Sequence, residues 1–287
     1  MISTQFDYVR ARTLDEALTL LSQNEDAKIL AGGHSLIPAM KLRLAMPSLL
    51  IDIGRIAELC YVREEGNQIL IGAMTSHYQI ESSELLKQVC PLLPECAAHI
   101  GDVQVRNKGT IGGSLAHSDP AGDWPAAAIA LNAELVVAGK SGDRTISVND
   151  FFVDLMTTAI EPGEILREIR FNKSSSRTGQ AYTKMHHPAS GFAVAGVAAN
   201  LTLDESGVCK TASIGITGVS SKAYRAAAVE AALIGHPIDE QSTANAAAQA
   251  TDGVDINGDL FASEGYRRHL AQVYTRRAIA TASGRAG

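Results

Sequence analysis

The chain has 287 residues, of which 46% are hydrophobic and 5% aromatic, and its formal net charge at pH 7 is −6. This length predicts two domains, and the apolar content is sufficient for a sizeable core. The acidic balance, without any basic run, argues against nucleic acid or an anionic membrane as a partner.

The first 55 residues predict a small β-α-β-α-β layer. Thr13 and Glu16 have the spacing of a capping box, which starts a helix. Ser35 is placed to cap a second helix. The apolar face of that second helix is predicted to comprise Leu36, Met40 and Leu44. Three apolar runs have the length and composition of strands: residues 6–9, 27–30 and 49–53.

Residues 56–175 predict a second layer built from hairpins and short helices. The turn residues at 65–67 and 140–143 each join two strand-like runs. The helical pattern at 80–100 is interrupted by Pro91 and Pro94, so two short helices are expected. The strand-like runs lie within residues 61–74 and at residues 135–138, 144–148 and 165–171.

A polar segment without periodicity, residues 172–179, has the composition of a linker. We therefore predict an N-terminal domain of residues 1–175, with subdomains of about 1–55 and 56–175, and a C-terminal domain of residues 176–287. The C-terminal domain is expected to contain strands at 180–185, 192–203 and 209–217 and helices at 226–234, 242–250 and 264–280. The predicted fold class is α+β.

No segment has the pattern of a membrane span or a secretory leader. The longest apolar runs, such as 125–131, are far shorter than the ~20 residues that cross a bilayer. The four cysteines form no C-x-x-C pair and have no histidine at metal-ligand spacing. The sequence therefore predicts a cytoplasmic protein with reduced thiols and no metal site of its own.

Two glycine-rich segments, residues 31–35 and 109–123, are the main functional candidates. Glycine lets a backbone approach an anion closely, and consecutive N–H groups supply partial positive charge for phosphate. Neither segment is a P-loop or a G-x-G-x-x-G fingerprint. One such turn is commonly only a tight connection, but two of them favour a phosphate-bearing ligand.

These segments resemble the FAD-binding medium subunits of molybdenum hydroxylases (the xanthine oxidase family), in particular those of carbon monoxide dehydrogenase and of quinoline- and nicotine-type hydroxylases. The likeness extends over essentially the whole chain. Its main stretches are Phe6-Asp7-Tyr8, Ala31-Gly32-Gly33-His34-Ser35-Leu36-Ile37-Pro38, Ile71-Gly72-Ala73-Met74-Thr75, Val105-Arg106-Asn107-Lys108-Gly109-Thr110-Ile111-Gly112-Gly113-Ser114, Asp119-Pro120-Ala121-Gly122-Asp123, Glu161-Pro162-Gly163-Glu164 and Ala212-Ser213-Ile214-Gly215.

The resemblance implies a two-subdomain FAD-binding domain of the PCMH type, shared with vanillyl-alcohol oxidase. It also implies a C-terminal α+β domain of the carbon monoxide dehydrogenase flavoprotein type, with a three-stranded antiparallel sheet and helices. The backbone segments implied to hold the FAD pyrophosphate are Ala31, Gly32, Gly33, His34, Ser35 and Leu36, and Thr110, Ile111, Gly112, Gly113 and Ser114.

Five further positions are implied to contact FAD. Asp123 matches a carboxylate that contacts the polar chain of the cofactor. Ile165 and Leu166 match positions that contact the flavin or adenine. Lys184 matches a lysine near the isoalloxazine. Phe192 stands where relatives place an aromatic ring, commonly Tyr, and it lacks that hydroxyl.

Some residues allow two interpretations. His34 could attach FAD covalently, but the family binds FAD noncovalently, and we expect the same here. His117 and Asp119 could form an acid–base pair, although local hydrogen bonds are favoured on such a turn. Asp123 could be the N-cap of a helix as well as a ligand, and Arg106 could meet phosphate or pair on the surface.

The resemblance implies electron transfer through FAD within a larger oxidoreductase. A large subunit would hold the molybdenum cofactor, a small subunit two [2Fe–2S] clusters, and the assembly would be a dimer of heterotrimers. FAD would pass the electrons to an external acceptor, and no residue of this chain is assigned as a nucleophile or general base. The alternatives are a self-contained FAD-dependent oxidase or dehydrogenase of the vanillyl-alcohol-oxidase type, and a scaffold subunit without flavin.

Overall fold

The computed structural model describes residues 2–286 and begins with a small α/β unit. Its parallel sheet has the order β1-β3-β2, with the strands β1 (Asp7–Arg10), β2 (Ala27–Leu30) and β3 (Leu49–Asp52). The helices α1 (Leu14–Gln23) and α2 (Leu36–Lys41) connect the strands. The predicted β-α-β-α-β layer is therefore confirmed.

The second unit is a five-stranded antiparallel sheet of order β4-β5-β10-β6-β7, covered by helices. Its strands are β4 (Val62–Glu65), β5 (Gln68–Gly72), β6 (Glu134–Gly139), β7 (Gly142–Ser147) and β10 (Ile165–Asn172), and the small hairpin beside them is β8 (Phe152–Asp154) and β9 (Thr157–Thr158). Its helices are α3 (His77–Glu81), α4 (Glu84–Val89), α5 (Leu92–Ala98), α6 (Val103–Lys108), α7 (Ile111–His117), α8 (Asp123–Ala130) and α9 (Val148–Phe151).

The third unit is an antiparallel sheet of order β11-β12-β13-β14 covered by three helices. Its strands are β11 (Thr178–His186), β12 (Ala193–Leu203), β13 (Cys209–Thr217) and β14 (Tyr224–Arg225), and its helices are α10 (Ala227–Leu233), α11 (Glu240–Ala247) and α12 (Glu264–Arg285). The α+β fold class is confirmed. The fourth strand, β14, is an addition, since two residues are too short to give a sequence pattern.

Three local predictions were wrong. Pro94 lies in the first turn of α5, where proline is tolerated, so residues 77–98 form three helices and not two. Ser35 makes no capping hydrogen bond to α2. Leu44 lies beyond the end of α2 and is 79% exposed, so the apolar face of that helix is shorter than predicted.

Helix α8 holds the second and third units together. All eight of its residues are buried, and β12 and β13 pack against it. A Cβ on Gly215 of β13 would lie 2.1 Å from the carbonyl oxygen of Ala126, so only glycine permits this approach. The N-terminal turn of α8 is thereby fixed between the two units. No helix within residues 2–286 is both long and apolar enough to cross a membrane.

Candidate functional site

The two glycine segments lie directly against each other. A Cβ on Gly32 would lie 2.2 Å from the carbonyl oxygen of Lys108 and 2.8 Å from the Cα of Gly109. A Cβ on Gly113 would lie 3.5 Å from that of Ala31. Contacts this short need glycine, because any side chain at Gly32 would separate the two backbones. The structure therefore brings together two segments that are about 75 residues apart in sequence.

The segment that follows β2 carries a run of free backbone donors. Within residues 2–286, no acceptor is bound by the backbone N–H groups of Gly32, Gly33, His34, Ser35 and Leu36. Gly33 has φ +80°, in the left-handed region, so the chain curls here before α2 begins. Successive N–H groups in such a turn form a concave anion-binding surface. Such a row of donors is suited to a phosphate-bearing ligand, and its contact with the pyrophosphate of FAD stays a prediction.

The second glycine segment differs from the first, because it is the start of helix α7. Its N-cap is Thr110, whose hydroxyl accepts a hydrogen bond from the N–H of Gly113 at 3.1 Å. The N–H of Gly112 donates to the carbonyl of Ala73 at 2.9 Å, and that of Ile111 to Thr75 at 3.1 Å. Most N–H groups of this segment are therefore used within the protein. This segment would contribute to a ligand site by letting the backbone of the first glycine segment come close, and not by donating hydrogen bonds.

Gly112 is required for packing against the end of β5. A Cβ on Gly112 would lie 2.4 Å from the Cβ of Ala73 and 2.7 Å from its carbonyl oxygen. Gly113 is less restricted, since its nearest neighbour would be the Thr110 hydroxyl at 2.8 Å. The two glycines thus have different roles, although they are adjacent in sequence.

Asp123 and Lys184 form a buried ion pair between the second and third units. The ammonium of Lys184 lies 2.8 Å from Oδ1 of Asp123, and the lysine side chain is fully buried. The ammonium also donates to the carbonyl of His99 at 2.9 Å. The hydroxyl of Tyr182 donates to Oδ1 of Asp123 at 2.5 Å. Both residues that the resemblance assigns to FAD are therefore already bonded to each other, and their contact with FAD stays a prediction.

The surroundings of Asp123 shift the pKa of its carboxyl in opposite directions. Burial raises the pKa of Asp123 above its ordinary value, while Lys184 and the Tyr182 hydroxyl act in the opposite direction by stabilising the carboxylate. Asp123 is the first residue of α8, and Gly122 is the N-cap. The interpretation of Asp123 as an N-cap residue was therefore wrong.

Ile165, Leu166 and Phe192 occupy different environments. The side chains of Ile165 and Leu166 are 4% and 5% exposed and belong to the apolar cores of the first and second units. Phe192 is 45% exposed and ends the loop between β11 and β12. A flavin ring could stack on Phe192, whereas Ile165 and Leu166 offer it little surface. All three assignments remain predictions.

Histidine side chains surround the loop that carries Phe192. His186 is hydrogen bonded to His99, with 3.1 Å between Nε2 and Nδ1. His187 packs its ring on Phe261, at 4.2 Å between ring centroids. Burial lowers the pKa of both His99 and His186 below the ordinary value. The His99–His186 pair is therefore neutral at pH 7.

The remaining candidates are bonded locally. His117 and Asp119 are 3.9 Å apart, too far for a hydrogen bond, and Asp119 accepts from the N–H of Ala121 at 2.8 Å. The guanidinium of Arg106 pairs with Glu81 at 2.7 Å. The cysteines are all free, and within residues 2–286 no group of three or more His, Cys, Asp and Glu could hold a metal ion.

One residue beside the glycine segments was missed by the sequence analysis. His77 opens helix α3 and is 4% exposed. Its Nδ1 accepts a hydrogen bond from the indole N–H of Trp124 at 3.0 Å. Burial, with smaller contributions from the nearby His34 and Arg106, lowers the pKa of His77 to about 4. The only signal in the sequence was a histidine directly after the capping residue Ser76, which by itself indicates no function.

Because His77 is neutral in the folded chain, stability should decrease in acid. An unfolded histidine takes up its proton near pH 6.5, while folded His77 does so only near pH 4. From this group alone, the free energy of unfolding should fall by on the order of 3 kcal/mol as the pH drops through this window. Urea unfolding at a series of pH values measures the slope. The variant His77→Asn should have a shallower slope, and equal slopes would contradict the assignment.

Comparison with known proteins identifies two matching families. Residues 4–173 match the FAD binding domain in molybdopterin dehydrogenase. Residues 180–282 match the CO dehydrogenase flavoprotein C-terminal domain. The first matched stretch ends directly after β10 and the second begins within β11, and the paired glycine segments both lie in the first of them.

Individual relatives match over nearly the full chain. The carbon monoxide dehydrogenase medium chain of Afipia carboxidovorans is 39% identical over 287 residues, which cover 100% of this chain and 99% of that protein. Subunit alpha of the 6-hydroxypseudooxynicotine dehydrogenase complex of Paenarthrobacter nicotinovorans is 37% identical, over 98% and 95% of the two chains. A solved carbon monoxide dehydrogenase structure from Hydrogenophaga pseudoflava superposes with a TM-score of 0.96 at 41% identity, covering 99% of each chain.

Proposed function

The chain belongs to the family of FAD-binding medium subunits of molybdenum hydroxylases, and from this premise we propose that it transfers electrons within such a complex. In this proposal a small subunit with two [2Fe–2S] clusters delivers electrons to this chain. A large subunit holds the molybdenum cofactor, and the assembly is a cytoplasmic dimer of heterotrimers. FAD, when bound, takes up electrons from the clusters and gives them to an external acceptor.

The observation that carries the proposal is the contact between the two glycine segments. In the part of the chain that the structure describes, the N–H groups of residues 32–36 bind no acceptor. The close packing of Gly32 on Lys108 and Gly109 fixes this surface against the second unit. An anion with two adjacent phosphates is suited to such a row of donors, because each N–H can bond a separate oxygen.

The C-terminal unit would cover the flavin end of the same cofactor. Phe192 offers an exposed aromatic ring on a short loop, and the His99–His186 pair lies beside that loop. The Asp123–Lys184 ion pair fixes the C-terminal unit against α8. Phe192 and the histidine pair would hold and shield a bound ring, and the ion pair would keep the C-terminal unit in place; none of them would take part in bond making, as expected of an electron-transfer subunit.

The need for a separate iron–sulfur subunit is supported by the number of cysteine ligands in this chain. Two [2Fe–2S] clusters require about eight thiolate ligands, while this chain has four cysteines in all. Relatives are named as medium chains or subunits of complexes. A self-contained oxidase of the vanillyl-alcohol-oxidase type is not favoured, since the relatives that match nearly the full chain are a medium chain and a subunit of a complex.

The purified chain tests this function directly. We expect it to bind one FAD per chain, and acid precipitation should release that flavin into the supernatant. Chemically reduced flavin on the chain should be reoxidised by an added acceptor, while no organic substrate should be turned over by this chain alone. A colourless chain that cannot take up FAD, or steady turnover of an organic substrate by the single chain, would refute the proposal.

A further inference from the structure

The imidazole of His77 is held in one orientation with one free donor. Its backbone N–H donates to the carbonyl of Gly109 at 3.0 Å, and its Nδ1 accepts from the indole of Trp124 at 3.0 Å. Because Nδ1 is an acceptor, a neutral ring carries its proton on Nε2. Within residues 2–286 this Nε2–H group has no acceptor, although the residue is only 4% exposed.

The free nitrogen is not enclosed by the protein. Among residues 2–286, the fully buried polar side-chain atoms without a partner are Arg267 Nε and Thr275 Oγ1, and His77 Nε2 is not one of them. It therefore keeps access to solvent at the small exposed part of the ring. A fixed imidazole whose free donor reaches solvent can donate to a ligand without reorienting.

The position of this donor coincides with the meeting point of the glycine segments. A Cβ on Gly109 would lie 2.6 Å from His77 Nε2, so the ring packs directly on that glycine. Gly109 is also the residue on which Gly32 packs. His34, on the turn with the free N–H groups, is close enough to lower the pKa of His77. The ring nitrogen and the turn with the free backbone donors therefore both pack against Gly109.

We propose that the Nε2–H group of His77 is a side-chain hydrogen-bond donor to the pyrophosphate of FAD, held in place by Trp124. This inference rests on the proposed function, because it requires FAD between the two glycine segments. His77 acts as a neutral donor, since burial disfavours the imidazolium. The indole of Trp124 serves as a positioning group that fixes the tautomer.

Two substitutions of His77 distinguish a hydrogen bond to FAD from a purely structural hydrogen bond to Trp124. Asparagine places an oxygen near the position of Nδ1, so His77→Asn keeps the acceptor for Trp124 and loses the donor. Glutamine places an amide N–H near the position of Nε2, so His77→Gln keeps the donor and loses the acceptor. We expect the dissociation constant for FAD to rise about 10- to 100-fold in His77→Asn and to change much less in His77→Gln.

The measurement is a fluorescence titration of the full-length apoprotein with FAD, with circular dichroism to verify the fold of each variant. If His77 only supports Trp124, the order reverses, with His77→Gln the weaker binder, and the proposal is overturned. Equal affinity of all three chains also overturns it. Failure of the unsubstituted chain to bind FAD refutes the proposed function, and this inference with it.

Nuclear magnetic resonance on the unsubstituted chain gives a readout that does not depend on variants. In the histidine-¹⁵N-labelled chain, the Nε2 proton of His77 should shift and exchange more slowly on addition of FAD. Riboflavin, which has the same ring and no phosphate, should leave this proton unchanged. An Nε2 signal that is unaffected by saturating FAD, or that responds equally to riboflavin, would overturn the proposal.

Discussion

Replacing Lys184 by methionine is expected to lower the free energy of unfolding by about 3–5 kcal/mol. The lysine side chain is fully buried, and its ammonium lies 2.8 Å from Oδ1 of Asp123. Methionine has a similar length but no charge, so it leaves the Asp123 carboxylate buried without its cation. The loss should appear as a lower urea midpoint, because α8 and β11 are then no longer joined by this pair.

The control for this variant is an ion pair on the surface. Arg276 pairs with Glu240 at 2.7 Å, with side chains that are 50% and 87% exposed. Such pairs contribute little, so Arg276→Met should change the free energy of unfolding by less than about 1 kcal/mol. The contrast between the two variants measures the effect of burial at a similar distance between charges.

A double variant distinguishes the loss of the ion pair from the cost of leaving one of its charges buried alone. Asp123→Asn combined with Lys184→Met removes both charges, so its cost should be clearly smaller than the sum of the two single costs. The deficit of Lys184→Met should also shrink in acid, where the isolated carboxyl of Asp123 becomes protonated. A Lys184→Met variant within 1 kcal/mol of the unsubstituted chain would contradict this account.

The regular elements were predictable because their patterns are local. The strands at 27–30 and 49–53 and the hairpin at residues 65–67 each have an apolar run bounded by turn residues, and the structure has them within one residue. The break between α3 and α4 was missed, because it is made by Ser82 and Ser83, not by a proline. Pro94 gave a false signal, since proline at the start of a helix breaks no hydrogen bond.

The site was only partly predictable, because its contacts depend on tertiary structure. The sequence identified the glycines of both segments as candidate site residues, but it did not reveal that they have different roles. The N–H of Gly112 is used by Ala73, a residue of a distant strand end, and no local pattern reveals this. Likewise, the Asp123–Lys184 pair and the His77–Trp124 hydrogen bond join residues 61 and 47 positions apart.

Replacing Gly32 by valine should weaken FAD binding by at least about 100-fold, which corresponds to roughly 2.7 kcal/mol or more. A Cβ at this position would lie 2.2 Å from the carbonyl oxygen of Lys108, a distance that no relaxed structure permits. The neighbouring atom belongs to the backbone, so it cannot rotate away as a flexible side chain would. The free N–H groups of residues 32–36 would have to move away from the second segment.

Two further glycine variants serve as controls for Gly32→Val. Gly113→Ala disturbs only the Thr110 cap of α7, which lies 2.8 Å from the new Cβ, so its loss of affinity should be modest. Gly284→Ala adds a Cβ in open space on α12 and should bind FAD as the unsubstituted chain does. Flavin fluorescence titrations of the three folded variants measure this order. An unchanged dissociation constant for Gly32→Val would mean that the contact of the two glycine segments does not form the FAD site.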